Sequence, residues 1–169
     1  MAICHVNKLI FVHVPKNAGT SILSYFNSTP ESILPDQSWK EYSLFYKEWN
    51  SYTTFSIIRD PYSRFKSFYK YLKIGPHINH FAKIVRDNHM ILTRPQSFFI
   101  CDGDSVMVDK LVRYENLDKE LSSIGIYNLP RKNVSKTIPD DRLLMNQETI
   151  DIINTIYKRD FDLFGYEYR

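Results

Sequence analysis

The most constraining feature of this sequence is an apolar run that leads directly into a polar turn and then into a helix-compatible segment. The run covers residues 9–14, and the turn reads PKNAGTS at residues 15–21. A strand, a tight turn and a helix in this order suit an anion, because free amides and the helix dipole both favour negative charge at the helix start. Gly19 lets the backbone approach a ligand closely, and Lys16 supplies a positive charge. The stretch therefore predicts a phosphate-binding turn.

Beyond this stretch, apolar strands alternate with helical segments. Strands are predicted at residues 8–14, 53–58, 98–101 and 106–114, and helices at residues 19–26, 39–49, 61–74, 77–92, 116–124 and 146–158. This alternation predicts an α/β domain with a mostly parallel sheet, and we expect one domain over residues 1–169. Ligands of such sheets bind at the carboxyl ends of the strands. Lys16 and Arg59 each follow a predicted strand, so they can face one cleft.

Composition restricts the class of partner. The 169 residues carry a net charge of only +3, which is too small to indicate nucleic acid but suits an anionic ligand. The two cysteines are far apart and form no zinc or disulfide pattern, so a reducing compartment is expected. The N-terminal apolar run is too short for a signal peptide or a membrane span. We therefore expect a cytoplasmic protein with no nucleic-acid partner and no membrane-spanning segment.

A second polar constellation follows the strand at residues 53–58. It reads SIIRDPYSRFKSFY at residues 56–69. Asp60 is a good N-cap and Pro61 suits the first helical position, so a helix begins here. Arg59 at the strand end can bind a phosphate with two hydrogen bonds, and Ser67 is on the face of the helix that Ser63 also occupies. The arginine and a serine eight residues later can form a compact monophosphate site.

The two stretches resemble the cofactor motifs of sulfotransferases that use PAPS (3′-phosphoadenosine 5′-phosphosulfate). PKNAGTS looks like their 5′-phosphosulfate loop, and RDPYSRFKSFY looks like their 3′-phosphate motif. RPQS with FFI, VRYENL, NVS and DFDLFGY, all later in the chain, resemble the carbohydrate-type (family 2) sulfotransferases. The resemblance extends from Phe11 to Tyr166. It implies a P-loop-like sulfotransferase fold, with three layers and a mostly parallel sheet flanked by helices.

The resemblance also implies roles for individual residues. Lys16 is implied to stabilise the leaving phosphate, and a loop with Ser135 and Lys136 is implied to close over the 3′-phosphate. Arg64 matches the 3′-phosphate motif too, although its role could equally be structural. The remaining implied cofactor ligands are Asn17, Ala18, Gly19, Thr20 and Ser21 for the 5′-phosphate, and Arg59 and Ser67 for the 3′-phosphate. PAPS would be the donor, PAP the product and a hydroxyl group, for instance of a sugar, the acceptor, without a metal.

The general base is where the chain departs from the family pattern. Many relatives have a histidine between the first helix and the Arg-Asp-Pro strand, but this chain has none between Ile22 and Ile58. Asp36 is the carboxylate nearest to the expected position, so we predict Asp36 as the base. The alternatives are His13, Glu31 and Glu41.

Two other functions remain open at this point. A nucleotide kinase on a related phosphate-loop fold is one, although the chain lacks the G-x-x-x-x-G-K-[ST] sequence of such enzymes. A non-catalytic module that binds the cofactor or a glycan is the other, and the missing histidine motivates it. The sequence does not indicate an oligomeric state.

Overall fold

A central sheet of four strands organises the computed structural model, which describes residues 2–27, 38–88, 90–130 and 140–169. The strands are β1 (Ala2–Cys4), β2 (Leu9–Phe11), β3 (Thr53–Ile58), β4 (Cys101–Asp102), β5 (Ser105–Val106) and β6 (Lys110–Arg113). The sheet has the order β1-β2-β3-β6, while β4 and β5 pair separately. Strands β2, β3 and β6 are parallel, and β1 is antiparallel at the edge. The predicted mostly parallel sheet is therefore confirmed.

Helices cover both faces of this sheet. They are α1 (Gly19–Tyr25), α2 (Trp39–Phe45), α3 (Pro61–Leu72), α4 (Ile78–Asn88), α5 (Gln96–Ile100), α6 (Leu117–Ser122), α7 (Gln147–Ile156) and α8 (Lys158–Phe164). Short 3-10 turns lie at Ile91–Thr93, Tyr114–Asn116 and Asp141–Leu143. Within the described residues, no helix is long and apolar enough to cross a membrane.

Alternating strand residues divide the core into two layers. Phe11 and Phe55 pack on one face of the sheet with α1 and α6, whereas Ile10 and Ile58 pack on the other with α2, α5 and α8. The alternation follows from the two-residue period of side chains along a strand. The chain is therefore α/β with three layers, as predicted. A separate apolar cluster joins α3, α4 and α7 through Phe65, Phe81 and Ile153, among other residues.

The predicted strand at residues 98–101 is wrong, because most of this segment belongs to helix α5. The carboxylate of Asp160 accepts hydrogen bonds from the amides of Gln96 at 2.7 Å and Ser97 at 2.8 Å. These two amides start the helix and would otherwise lack acceptors. The cap comes from a residue more than sixty positions later, so local sequence could not reveal it.

Other predicted boundaries need smaller corrections. The strand predicted at residues 106–114 is split, with β5 in a separate pair and only β6 in the main sheet. The helix predicted at residues 146–158 is confirmed as α7, and a further helix that was not predicted, α8, follows it after Tyr157. The phenol of Tyr157 is buried and donates to the carbonyl of Thr93 at 2.7 Å. The chain therefore turns where this side chain enters the core.

Two of the remaining helices form where they are predicted but end earlier. Helix α2 ends at Phe45 rather than at residue 49, and α4 ends at Asn88 rather than at residue 92. Strand β1 was not predicted, since its three residues carry too little pattern. The start of α3 is confirmed, because the side chain of Asp60 accepts from the amide of Ser63 at 2.7 Å and Pro61 is the first helical residue.

Candidate active site

The turn between β2 and α1 has an unusual backbone. Lys16 has φ 69° and Ala18 has φ 59°, so two non-glycine residues in three adopt left-handed conformations. Each such residue costs on the order of 1–3 kcal/mol and persists where the surroundings enforce it. The amides of Ala18, Gly19 and Thr20 have no hydrogen-bond acceptor among the described residues. The turn thus presents several free N–H groups beside a lysine.

Asn17 is the side chain that holds this turn from behind. It is fully buried, and its Nδ2 donates to the carbonyl of Ile57 at 2.6 Å and to Oε1 of Gln96 at 2.7 Å. The side chain of Asn17 therefore contacts the sheet and not the cleft. Of the predicted cofactor ligands in the turn, Asn17 offers no free N–H group, because its backbone amide donates to the carbonyl of Val14 at 3.3 Å.

Position 19 has no room for a side chain, because the ring of His13 lies directly beside Gly19. A Cβ at position 19 would lie 2.1 Å from Nε2 of His13, which is far inside van der Waals contact. Burial, together with the positive charges of Arg64 and Lys16, lowers the pKa of His13 to about 4. His13 is therefore neutral near pH 7, and its ring fills the space beneath the turn.

Lys16 extends from the turn toward helix α3. Its ammonium nitrogen lies 3.9 Å from the ring centroid of Tyr71, whose side chain is 65 % exposed. Burial and the nearby guanidinium of Arg59 both lower the pKa of Lys16 from its usual range. No described carboxylate forms an ion pair with Lys16. The site thus concentrates positive charge that an anion would neutralise.

Arg59 joins the end of β3 to the turn. Its Nε donates to the hydroxyl of Ser63 at 2.9 Å, and its Nη1 donates to the carbonyl of Lys16 at 3.1 Å. The guanidinium stacks on the ring of Tyr114, 4.1 Å from the centroid. Burial lowers the pKa of Arg59, although it remains a cation. The structure therefore brings the two predicted phosphate motifs into direct contact.

Helix α3 lines the cleft with residues spaced four apart. Ser63 contacts Arg59, Tyr71 lies under Lys16, and Ser67 stands between them on the same helical face. The hydroxyl of Ser67 is half-buried and makes no hydrogen bond to any described residue. It is therefore available to a ligand between the two cations.

Arg64 has a structural position. It is 1 % exposed, and it donates to the carbonyl of Pro15 at 3.0 Å and to the carbonyl of Arg94 at 2.9 Å. Its guanidinium lies over Phe68, 4.7 Å from the ring centroid. Burial lowers its pKa, while the charge of Asp160 opposes this shift. Arg64 supports the turn from below and does not line the cleft.

Gln96 is a residue of this site that sequence reasoning missed. Its side chain is fully buried between the two motifs, where it contacts both Asn17 and the backbone of Arg59. In the sequence the RPQS stretch indicates only a resemblance to the family. A glutamine after a proline carries no local signal for such a position.

Comparison with known proteins agrees with this geometry. The model of the sulfotransferase family (family 2) matches residues 1–167, which is nearly the whole chain. The chain belongs to the sulfotransferase family. Searches of curated proteins and of solved structures gave no significant match. Members of this family transfer sulfuryl groups, generally from PAPS, to hydroxyl-bearing acceptors.

Several residues predicted for this sulfotransferase lie outside the described part of the chain. They are Asp36, Glu31, Ser135 and Lys136. Glu41, another candidate base, is engaged at the start of α2, where it accepts from the amide of Ser38 at 2.7 Å. Among residues 2–27, 38–88, 90–130 and 140–169, no group of three or more histidine, cysteine, aspartate or glutamate side chains could hold a metal ion.

Proposed function

We propose that this sulfotransferase transfers the sulfuryl group of PAPS to a hydroxyl of a carbohydrate or another small acceptor by in-line displacement. The contact between the two cationic motifs carries the proposal. Nη1 of Arg59 lies 3.1 Å from the carbonyl of Lys16, and neither cation has an ion-pair partner within the described residues. A cofactor with phosphates at two positions would supply the missing negative charge at both.

The residues of the cleft suit such a cofactor. Free amides at Ala18, Gly19 and Thr20 and the ammonium of Lys16 can hold one phosphate. Ser21 belongs to the same predicted set, although its side chain is buried. Arg59 and Ser67 can hold the other phosphate, because a guanidinium and a hydroxyl are good phosphate donors. Tyr114 fixes the plane of that guanidinium.

The catalytic roles follow from charge. When bound, PAPS supplies an activated sulfuryl group and leaves as PAP. Lys16 stabilises the negative charge that develops on the leaving phosphate oxygen, which is the main way in which transfers of this type are accelerated. Arg59 and Ser67 fix the register of the donor, so that the reacting atom and the acceptor hydroxyl align. This scheme uses no metal.

The remaining roles are proposed from the sequence alone. Asp36 is the proposed general base that takes the proton of the acceptor hydroxyl. Ser135 and Lys136 are proposed to close over the 3′-phosphate. His13 is less suited as the base, because its ring is packed against Gly19 and Phe11.

Thermal shift with PAP is the first test. At one hundred times Kd a ligand adds about 2.7 kcal/mol to stability, which corresponds to a rise in Tm of roughly 5–10 °C for a domain of this size. We expect this rise for the wild type and a much smaller one for Lys16→Ala. Lys83→Ala is the matched control, because Lys83 on α4 forms an exposed ion pair with Glu148 on α7. A response to ATP without a response to PAP would contradict the proposal and favour a kinase.

Transfer itself is tested with PAPS that carries radiolabelled sulfate. We expect label to move to at least one member of a panel of sugars and small alcohols, and Asp36→Asn to lower the rate at least tenfold without changing the affinity for PAP. Tight PAP binding without transfer to any acceptor would instead indicate a binding module.

A further inference from the structure

We propose that Gln96 is a positioning residue that couples the two phosphate subsites of this sulfotransferase. The inference rests on the proposed function, since it concerns the same cleft. The coupling is assigned to the buried side-chain amide of Gln96. This amide contacts both motifs but is not one of the proposed phosphate ligands. We refer to the hydrogen bonds that join Asn17, Gln96 and Arg59 as the Gln96 bridge.

The Gln96 bridge uses both ends of the glutamine amide. Oε1 accepts from Nδ2 of Asn17 at 2.7 Å and from the backbone amide of Arg59 at 2.8 Å. Nε2 donates to the backbone carbonyl of Arg59 at 2.9 Å. The side-chain amide of Gln96 thus holds the turn after β2 and both backbone polar groups of Arg59, the residue that follows β3.

The glutamine is itself anchored. Its backbone amide donates to the buried carboxylate of Asp160 at 2.7 Å, and its side chain is 0 % exposed. Because the residue is held at both its backbone and its side chain, it has no alternative rotamer open to solvent. The Gln96 bridge is therefore a rigid spacer between the two motifs and not an adaptable contact.

The two motifs also have anchors that do not involve Gln96. Asn17 donates to the carbonyl of Ile57, and Arg64 holds the carbonyl of Pro15. Asp60 caps the helix that carries Ser67. The guanidinium groups of Arg64 and Arg59 also reach the turn, at the carbonyls of Pro15 and Lys16, but they do so through long side chains. Loss of the glutamine would remove the contact that fixes the backbone of Arg59 against Asn17.

A fixed separation matters for a ligand with two phosphates. When one phosphate is bound, the other gains affinity only if its subsite is already at the correct distance. PAP contacts both proposed subsites, whereas AMP lacks the 3′-phosphate and contacts only the first. The ratio of the two affinities therefore measures the coupling.

Calorimetric titration with PAP and AMP tests this inference on the wild type and on Gln96→Met, which keeps the length of the side chain and removes its hydrogen bonds. The ratio of PAP affinity to AMP affinity measures what the 3′-phosphate adds. We expect this ratio to fall about tenfold in Gln96→Met, which is within the usual range of coupling between sites. The affinity for AMP should change less than about threefold. Thr149→Val is the matched control, because it removes the hydrogen bond that the buried Thr149 on α7 donates to Asn79 on α4. It should leave the ratio unchanged.

Equal losses of PAP and AMP affinity in Gln96→Met would overturn the inference, since they would indicate general damage to the site. If Gln96→Met does not fold, Gln96→Asn takes its place, because its amide is one methylene too short to reach both motifs. A wild type that does not bind PAP would contradict the proposed function. The Gln96 bridge is then judged by amide hydrogen exchange in the free protein. Faster exchange in Gln96→Met than in the wild type at both Asn17 and residues 59–63 supports the inference, and faster exchange confined to α5 overturns it.

Discussion

The two predicted phosphate motifs of this protein obtain their backbone shape in different ways. At the junction of β3 and α3 the start of the helix is formed by neighbours in sequence, with Asp60 as the cap and Pro61 at the first helical position. Distant residues, Gln96 and Tyr114, contact only Arg59 there. The turn after β2 is held by residues far away in the chain. Arg64 and Gln96 reach it from α3 and α5.

This difference shows that one kind of ligand site can depend on its own sequence or on its context. The junction keeps ordinary backbone angles within α3, whereas the turn has left-handed conformations at Lys16 and Ala18. A strained turn needs external support, and here that support is buried and polar. We therefore expect substitutions behind the turn to affect stability strongly and substitutions at the junction to affect mainly ligand affinity.

The largest effect should come from Arg64→Met. This change leaves the carbonyls of Pro15 and Arg94 without donors in a buried region, and each unsatisfied group costs on the order of 1–3 kcal/mol. We expect the free energy of unfolding to fall by about 3 kcal/mol in denaturant titration. Arg86→Met is the control, since Arg86 is a surface residue paired with Asp87. Equal effects of the two substitutions would contradict a supporting role for Arg64.

The next largest loss of stability is expected for Gly19→Ala. The added methyl group would collide with the ring of His13, and overpacking of this kind costs about 2 kcal/mol. The double variant His13→Ala with Gly19→Ala should lose less stability than the sum of the two single variants, by at least about 1 kcal/mol. Additive losses in denaturant titration would show that the ring does not limit position 19.

The pH dependence of stability should also report on His13. Its pKa is about 4 in the folded protein against an ordinary value of 6.5, so the unfolded chain binds more protons between these values. Stability should therefore fall as the pH decreases through this window, by about 2 kcal/mol from this group between pH 7 and pH 5. His13→Gln should flatten that part of the curve. An unchanged curve would mean that the imidazole is not held neutral.

The smallest effect is expected at the junction. Ser63→Ala removes the hydroxyl that accepts from Nε of Arg59, but Tyr114 and the Lys16 carbonyl still orient the guanidinium. We expect PAP affinity to fall about threefold to fivefold, as for one hydrogen bond, with no change for AMP. Ser122→Ala, at an exposed position on α6, is the control for calorimetry. A loss of stability comparable to that of Arg64→Met would contradict the proposed contrast.

The contrast also explains which features could be predicted from sequence. The cap at Asp60, the helix start at Pro61 and the buried strand before them depend on adjacent residues, so their pattern was sufficient. Helix α5 was mistaken for a strand because its cap, Asp160, is distant. The resemblance implied Asn17 as a phosphate ligand, and only the fold shows that its side chain bonds Ile57 and Gln96 and that its amide bonds Val14. Residue identity in a motif predicts a candidate site, whereas the direction of each side chain depends on tertiary contacts.

A crystal structure with PAP would test the central claim most directly. The account predicts the 5′-phosphate on the amides of Ala18, Gly19 and Thr20, with the ammonium of Lys16 moved from Tyr71 toward it. The 3′-phosphate should contact Arg59 and Ser67. PAP bound elsewhere, or bound with the two phosphates exchanged, would contradict the account.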